Sequence, residues 1–358
     1  MRGRRNLQVA AFAVAVAGVH LAAQAAGKGF FLTQLTMSAW YTLVVLGLSL
    51  LMGYAGQISL GQAGFFAIGG YASAALTTLD LAPHRGQALV GALVRARLLV
   101  SRADLFGGEA LSVAPWAAFA VAVALGAAVA VAIGIPVLRL KGHYLAMATL
   151  AFGTIVSSVV VGMQALGAAD GISGVPPFEL VPGLRVGGGG ADRVRNYYLA
   201  WGVVAVALWL LLNLIHSRVG RALGAIHGAE DAARAMGVDV ARLKLRTFVL
   251  AAVMATVAGS LLTHYNGGIG PSEASVLKSV RYVAIVAVGG MGSLWGTLAA
   301  SSVLNFLSRR GTFGTWDDAV FGAILVGVML FAPEGILQAN LRALLRPLGI
   351  GRGEEEGA

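Results

Sequence analysis

Side chains that could carry acid–base, metal or nucleophilic chemistry are few and scattered in this sequence. The 358 residues include 16 acidic residues and six histidines, and cysteine is absent, which excludes disulfides and thiolate metal sites. The histidines show no paired helical spacing such as HExxH, so we expect no metal site. Neither a G-x-x-x-x-G-K-[ST] phosphate loop nor a G-x-S-x-G nucleophile motif occurs. The sequence therefore predicts a chain with no enzyme activity, no ATP site of its own and no cofactor.

The acidic residues lie between the long apolar runs or at their ends. Proton- and ion-coupled carriers commonly place ionisable groups within their membrane spans, where these groups serve as relays. The sequence shows no such relay. If the chain transports a solute, we expect a partner protein to supply the energy.

A polar island at residues 216–246 separates two long apolar runs. Its six basic residues outnumber its three acidic ones, so we expect it outside the hydrocarbon, as a cytoplasmic loop. Gly237 can end a helix in this island, and Asp239 can cap the next one. The pattern predicts a short helix with a docking surface, and an ordinary solvated loop is the alternative. One face of that helix is indicated by residues that recur at steps of three and four, namely Ile226, Ala229, Ala233, Met236 and Val240.

The elements around the island are predicted to be membrane helices. Hydrophobic residues make up 58% of the chain and charged residues only 12%, whereas soluble domains hold about 25% charged residues. Several apolar runs reach the roughly 20 residues that cross a bilayer as a helix, and they do not alternate as barrel strands do. The predicted fold is an all-α, polytopic transmembrane bundle of about 8–10 spans with broken or re-entrant helices, in one domain over residues 1–358.

The basic residues between the spans predict the orientation of the chain. Arginines precede the first apolar run, Leu7–Ala26, which we interpret as an uncleaved helix with a cytoplasmic amino end; a secretory signal is the alternative. The net charge of +10 therefore indicates orientation in the membrane, and it does not indicate nucleic-acid binding. Residues 80–114 form a polar insertion, and we expect residues 347–358 to form a flexible tail.

Two apolar segments are interrupted by glycines and polar residues. Such interruptions are tolerated where the backbone is buried in protein or lines a cavity, and they often border a transport path. A packed connection between two helices is the alternative. The second segment is either one long span or two half-helices that meet in the membrane. The candidate pathway residues are Gln57, Ser59 and Gln62 in the first segment, and Gly289, Gly290 and Gly292 in the second.

Six motifs in order resemble the permease subunits of branched-chain amino-acid ABC importers, the LivM type. The resemblance covers nearly the whole chain apart from the insertion and the two ends. The motifs are GYAGQISLGQAGFFAIGGYASA at residues 53–74, RLKGHYLAMATLAFG at 139–153, DGISGVPP at 170–177, AEDAARAMGVDVARLKLRTFVLAAVMATVAG at 229–259, VAVGGMGSLWGTLAA at 286–300 and VMLFAPEGI at 328–336.

The resemblance implies a multi-pass subunit of an ATP-driven importer for leucine, isoleucine or valine in the bacterial inner membrane. It implies three kinds of partner, which are a sister permease subunit, two cytoplasmic ATPase subunits and a periplasmic substrate-binding protein. Contact with membrane lipid is expected from the apolar spans. A related permease for urea or short amides is the alternative function, and a passive channel is a weaker one.

The resemblance also implies that the island carries the helix that couples the permease to the ATPases. The EAA-and-glycine pattern of that helix matches Asp231, Ala232, Ala233 and Gly237, with Asp where the pattern has Glu. The predicted coupling residues are these four with their neighbours Ala229, Glu230 and Met236.

Overall fold

The computed structural model describes residues 2–84, 91, 94–95, 98–103, 109–140, 142–181 and 183–331. Within them the chain folds as twelve α-helices with three small two-stranded sheets, so the all-α class is confirmed. The helices are α1 (Arg2–Ala25), α2 (Phe31–Ser49), α3 (Gln62–Thr78), α4 (Pro115–Val137), α5 (His143–Gly162), α6 (Arg193–Ile215), α7 (Arg218–Gly228), α8 (Glu230–Ala235), α9 (Val240–Asn266), α10 (Val276–Gly289), α11 (Leu294–Arg309) and α12 (Asp317–Phe331).

Six of the described helices are long and apolar enough to cross a membrane: α1, α2 with the turn that follows it, α4, α5, α6 and α9. Helices α3, α10 and α11 are shorter, with 17, 14 and 16 residues. At 1.5 Å per residue these three helices are about 21–26 Å long, less than the roughly 30 Å of a hydrocarbon core. The bundle therefore combines full-length spans with the shorter helices that the glycine interruptions predict.

The long helices differ in how far the rest of the chain covers them. In the most apolar stretch of α2 and its following turn, 89% of the residues are buried inside the protein. The corresponding share is 67% in α9 and only 11% in α1. Trp40 on α2 and Phe248 on α9 are fully enclosed, together with Phe65 and Phe66 of α3. Helices α2, α3 and α9 thus form the protein core, and the outer helices expose apolar side chains as lipid contact requires.

Helices α3 and α9 approach one another closely at two glycines. A Cβ atom placed on Gly69 would lie 2.1 Å from the Thr256 carbonyl oxygen, and one on Gly259 would lie 2.0 Å from the Phe66 carbonyl oxygen. Both distances are too short for any side chain. Small residues let membrane helices pack backbone against backbone, and these two positions use glycine for that purpose.

The strands lie in the connections between the helices. Strand β1 (Leu99–Ala103) pairs antiparallel with β2 (Glu109–Val113), and both strands belong to the polar insertion. Strand β3 (Ile172–Ser173) pairs with β6 (Gly268–Ile269), and β4 (Phe178–Val181) pairs with β5 (Leu184–Val186). The predicted tail at 347–358 lies outside the described residues, as do residues 85–90, 92–93, 96–97 and 104–108 of the insertion.

Candidate coupling surface and helix breaks

The island folds as two short helices followed by the start of α9. Ser217 caps α7, since its hydroxyl accepts hydrogen bonds from the Val219 and Gly220 amides. Ala229 is extended, with φ −154° and ψ 100°, so α7 and α8 are separate helices, and the prediction of a single helical stripe was wrong. The two predicted boundaries are confirmed. Gly237 follows α8 with a φ of +84°, and the Asp239 carboxylate accepts from the Arg242 amide at the start of α9.

The predicted stripe is divided between an inward and an outward side. Ile226, Ala233 and Val240 are buried and pack in one cluster that joins α7, α8 and the first turn of α9. Because Ala233 faces this cluster, it holds α8 in place and is not itself available to a partner. Five of the predicted coupling residues are exposed on α8 and its flanks, and we name them the coupling surface: Ala229, Asp231, Ala232, Met236 and Gly237.

Met236 is the most prominent side chain of the coupling surface, because 85% of it is exposed. Asp231 lies nearby with 78% of its side chain exposed, and its carboxylate pairs with Arg234 at 3.4 Å. An exposed methionine and an exposed carboxylate on one surface are features that a partner groove can accept through apolar burial and charge complementarity.

An ion pair ties α8 to α9. The Lys244 ammonium lies 2.5 Å from the Glu230 carboxylate, and the two side chains are only 11% and 21% exposed. Arg234 also approaches Glu230, at 3.2 Å. Since the pair and the buried cluster both join α8 to the amino end of α9, the coupling surface is firmly attached to a long central helix.

The first predicted break lies between α2 and α3. Helix α2 widens into a π-helical turn at Leu50–Tyr54, and residues 55–61 are not helical before α3 begins at Gln62. Gln57, Ser59 and Gln62 are buried, each with at most 1% exposed. The Ser59 hydroxyl accepts a hydrogen bond from the Gly61 amide. The amide groups of Gln57 and Gln62 have no hydrogen-bond partner among the described residues.

Neighbouring helices fix the start of α3 inside the bundle. The Leu60 amide donates to the Thr149 hydroxyl of α5 at 3.0 Å, and the Ala63 amide donates to the Ser279 hydroxyl of α10 at 3.2 Å. Together with the unpaired glutamine amides, these bonds make the first break a polar site inside the bundle.

The second break separates α10 from α11, so the two half-helices form and the alternative of one long span was wrong. Gly290 has a φ of +88°, and the Ser293 hydroxyl caps α11 by accepting from the Gly296 amide at 3.0 Å. Gly289 serves helix packing, because a Cβ atom there would lie 2.5 Å from the Thr297 Cα.

The two breaks touch each other. The Tyr54 hydroxyl donates to the Gly292 carbonyl at 2.9 Å. A Cβ atom on Gly53 would lie only 1.4 Å from the Met291 carbonyl oxygen, so the two backbones are in direct contact. Segments that are about 240 residues apart in the sequence therefore meet at one place in the bundle.

Comparison with known proteins agrees with this arrangement of broken apolar helices. Residues 30–332 match the family described as branched-chain amino acid transport system / permease component. The chain belongs to this family. The permease is thus a multi-pass membrane protein and a transport subunit. Within its described residues no group of three or more His, Asp or Glu side chains could hold a metal ion.

Individual relatives are similar over most of the permease. It is 29% identical over 341 residues to the high-affinity branched-chain amino acid transport system permease protein LivM of Salmonella typhimurium, covering 89% of this chain and 73% of LivM. It is 26% identical over 320 residues to the corresponding LivH protein of Escherichia coli, covering 86% of this chain and 96% of LivH. A shorter stretch of 113 residues, 30% of the permease and 35% of the relative, is 29% identical to the ribose import permease protein RbsC of Escherichia coli. No solved structure matches the permease.

Sequence reasoning missed a buried ion cluster in the permease. Glu273 follows β6 in what the sequence indicates is a loop, yet its side chain is only 16% exposed. The Tyr41 hydroxyl of α2 donates to this carboxylate at 2.9 Å, and Lys278 of α10 approaches it at 3.0 Å. Arg309 of α11 completes the group by donating to the Tyr41 oxygen at 2.6 Å.

Burial raises the pKa of the Glu273 carboxyl. The cations of Lys278 and Arg309 and the hydrogen bonds from Lys278 and Tyr41 lower it by more, so this pKa lies below its usual value. A second group adjoins the first, because Arg281 of α10 pairs with Asp317 at 2.6 Å and with Asp318 at 2.7 Å. The only sequence signal was that three acidic and four basic residues lie between 273 and 318, which does not reveal that they meet.

Proposed function

We propose that the permease is a membrane subunit of an ATP-driven importer for leucine, isoleucine and valine. LivM and LivH, which are similar to the permease over 89% and 86% of its length, are both named as permease proteins of a branched-chain amino acid transport system. Two differently named permease proteins support the proposal of a sister subunit. The observation that carries the proposal is the coupling surface, with its exposed Met236 held on α9 by the Glu230–Lys244 pair.

The proposed assembly holds this permease, a sister permease, two cytoplasmic ATPase subunits and a periplasmic binding protein in the bacterial inner membrane. The amino end of α1 and the coupling surface lie on the cytoplasmic side, where basic residues between spans are enriched. ATP-driven closure of the ATPases moves α8, and α9 follows because a buried cluster and an ion pair join the two helices. Alternating access results when α9 displaces α3, since these helices touch backbone to backbone.

The coupling role is tested by Met236→Arg. A charge placed on the most exposed apolar side chain of the coupling surface should lower co-purification of the ATPase subunits at least about tenfold, because an unpaired charge is poorly tolerated inside an interface. The same substitution at Met163, which is exposed after α5, is the control and should leave ATPase binding unchanged. ATPase binding by the Met236→Arg variant at the wild-type level would contradict the proposal.

The substrate class is tested by uptake into proteoliposomes that contain the full assembly. Labelled leucine should be taken up only with ATP, and isoleucine and valine should compete with it. Competition by urea or short amides in place of these amino acids would favour the alternative importer. Uptake that needs no ATPase would identify a passive channel.

We also propose that Gln57, Ser59, Gln62, Gly289, Gly290 and Gly292 border the passage. The support is that both glutamine amides are buried without partners, a cost of about 1–3 kcal/mol for each unpaired group that a passing polar solute or water would relieve. Gln57→Leu removes this cost, so it should keep or raise thermal stability while it slows transport. Gln164→Leu, on the exposed segment after α5, should change neither. Wild-type transport by Gln57→Leu would show that this amide does not act in the passage.

A further inference from the structure

The last turn of α7 lies directly on the first helix break. A Cβ atom placed on Gly56 would be 3.0 Å from the His227 Nδ1 atom and 3.6 Å from the His227 Cα. Gly56 has a φ of +64°, which glycine adopts without strain, so the chain turns at this point of contact. A movement of α7 toward the bundle therefore presses on the segment that joins α2 to α3.

The first break transmits such a movement to the second break through two further contacts. Tyr54, two residues before Gly56, donates its hydroxyl hydrogen to the Gly292 carbonyl at 2.9 Å. One residue earlier, the Gly53 backbone lies against the Met291 carbonyl. Because backbone atoms in contact cannot be compressed, displacement of one break displaces the other.

The coupling surface is joined to α7 on the other side. Ile226, adjacent to His227, packs in the same buried cluster as Ala233 of α8 and Val240 of α9. A continuous series of contacts thus runs from the exposed Met236 through α8 and α7 to both breaks. Both breaks also contain a glycine with positive φ, Gly56 at +64° and Gly290 at +88°, and such non-helical points are where a helical bundle bends most easily.

We propose that His227 and Tyr54 are positioning residues that carry movement of the coupling surface to the two helix breaks, which open and close together as one gate. This inference rests on the proposed function, because it assumes that ATPase subunits push on α8. It adds a specific route and names two side chains outside the predicted coupling and pathway residues. His227 touches the first break from α7, and Tyr54 ties the first break to the second.

The test uses the complete assembly in proteoliposomes and measures substrate transported per ATP hydrolysed. His227→Ala and Tyr54→Phe should each lower this ratio at least about fivefold, the smallest change typical of a lost coupling between sites. ATPase subunits should still co-purify and hydrolyse ATP, because neither side chain is on the coupling surface. The double variant should have the same ratio of transport to ATP hydrolysis as the single variant with the lower ratio, since both contacts belong to one series. His143→Ala and Tyr144→Phe, at the exposed start of α5, are the matched controls and should keep the wild-type ratio.

A second measurement separates lost coupling from a damaged fold. The chain has no cysteine, so a spin label on Ile58→Cys reports on the first break alone. ATP should change the spectrum of this label in the wild-type background, and the change should disappear with His227→Ala while the spectrum without ATP stays the same. An unchanged transport ratio in both single variants, or losses that multiply in the double variant, would overturn the route. If the wild-type assembly shows no ATP-dependent uptake, the proposed function itself fails.

Discussion

Gly53→Ala is the substitution for which the structure gives the sharpest expectation. A methyl group at this position would lie 1.4 Å from the Met291 carbonyl oxygen, about 2 Å short of ordinary van der Waals contact. The obstructing atom belongs to the backbone, so no rotamer change can relieve the clash and one of the two breaks has to move. Overpacking of this kind costs about 1–3 kcal/mol, and loss of the adjacent Tyr54–Gly292 hydrogen bond adds about 1 kcal/mol.

Thermal unfolding of the purified permease in detergent measures this effect. We expect Gly53→Ala to lower the apparent Tm by several degrees and to reduce ATP-dependent uptake, because the two breaks no longer meet correctly. Gly202→Ala is the matched control, since no atom lies within 4 Å of a Cβ placed at this helical position. In a helix this change should be neutral or stabilise by up to about 1 kcal/mol. Equal Tm values for Gly53→Ala and wild type, or an equal loss in Gly202→Ala, would refute the contact between the breaks.

Two further predictions concern buried charge. Glu273→Gln leaves the Lys278 and Arg309 cations without their carboxylate and should destabilise the permease by about 3–5 kcal/mol, whereas Glu179→Gln in an exposed pair should cost at most about 1 kcal/mol. The pKa of Glu273 is lower in the folded state than in the unfolded state, so the carboxylate stabilises the permease above the unfolded-state pKa, and this stabilisation is lost as pH falls through the folded-state pKa. A profile of Tm against pH for Glu273→Gln should lack this loss at acid pH. A profile with the same acid loss as the wild type would contradict this account. Lys244→Met should loosen α8 and lower transport per ATP, because Glu230 is then partly buried beside Arg234 alone. Arg242→Met, which breaks an exposed pair with Asp239, should not lower it, and equal ratios in the two variants would count against the link between α8 and α9.

The local part of the fold followed from the sequence. Hydropathy and charge placed the chain in a membrane as an all-α bundle, because the free energy of burying a helix in lipid is set mainly by its own residues. Gly237 and Asp239 marked the end of one helix and the start of the next, and glycines and amides marked both breaks, because caps and breaks depend on a few adjacent residues. The ordered motifs identified the family in the same way.

Only the tertiary structure decided which of these residues meet. Ala233 and Met236 lie three residues apart in one predicted stripe, yet Ala233 is buried against α7 and α9 while Met236 is exposed, because α8 ends at Ala235 and the chain turns at Gly237, which has a φ of +84°. Glu273 follows a loop pattern but is enclosed by α2, α10 and α11. The contact of Gly53 with Met291 depends on the relative position of α2, α10 and α11. Side-chain periodicity indicates which face of a helix is apolar, but it does not give the crossing angles and offsets of distant helices. These angles and offsets determine which residues meet at the breaks, under the coupling surface and around the buried charges.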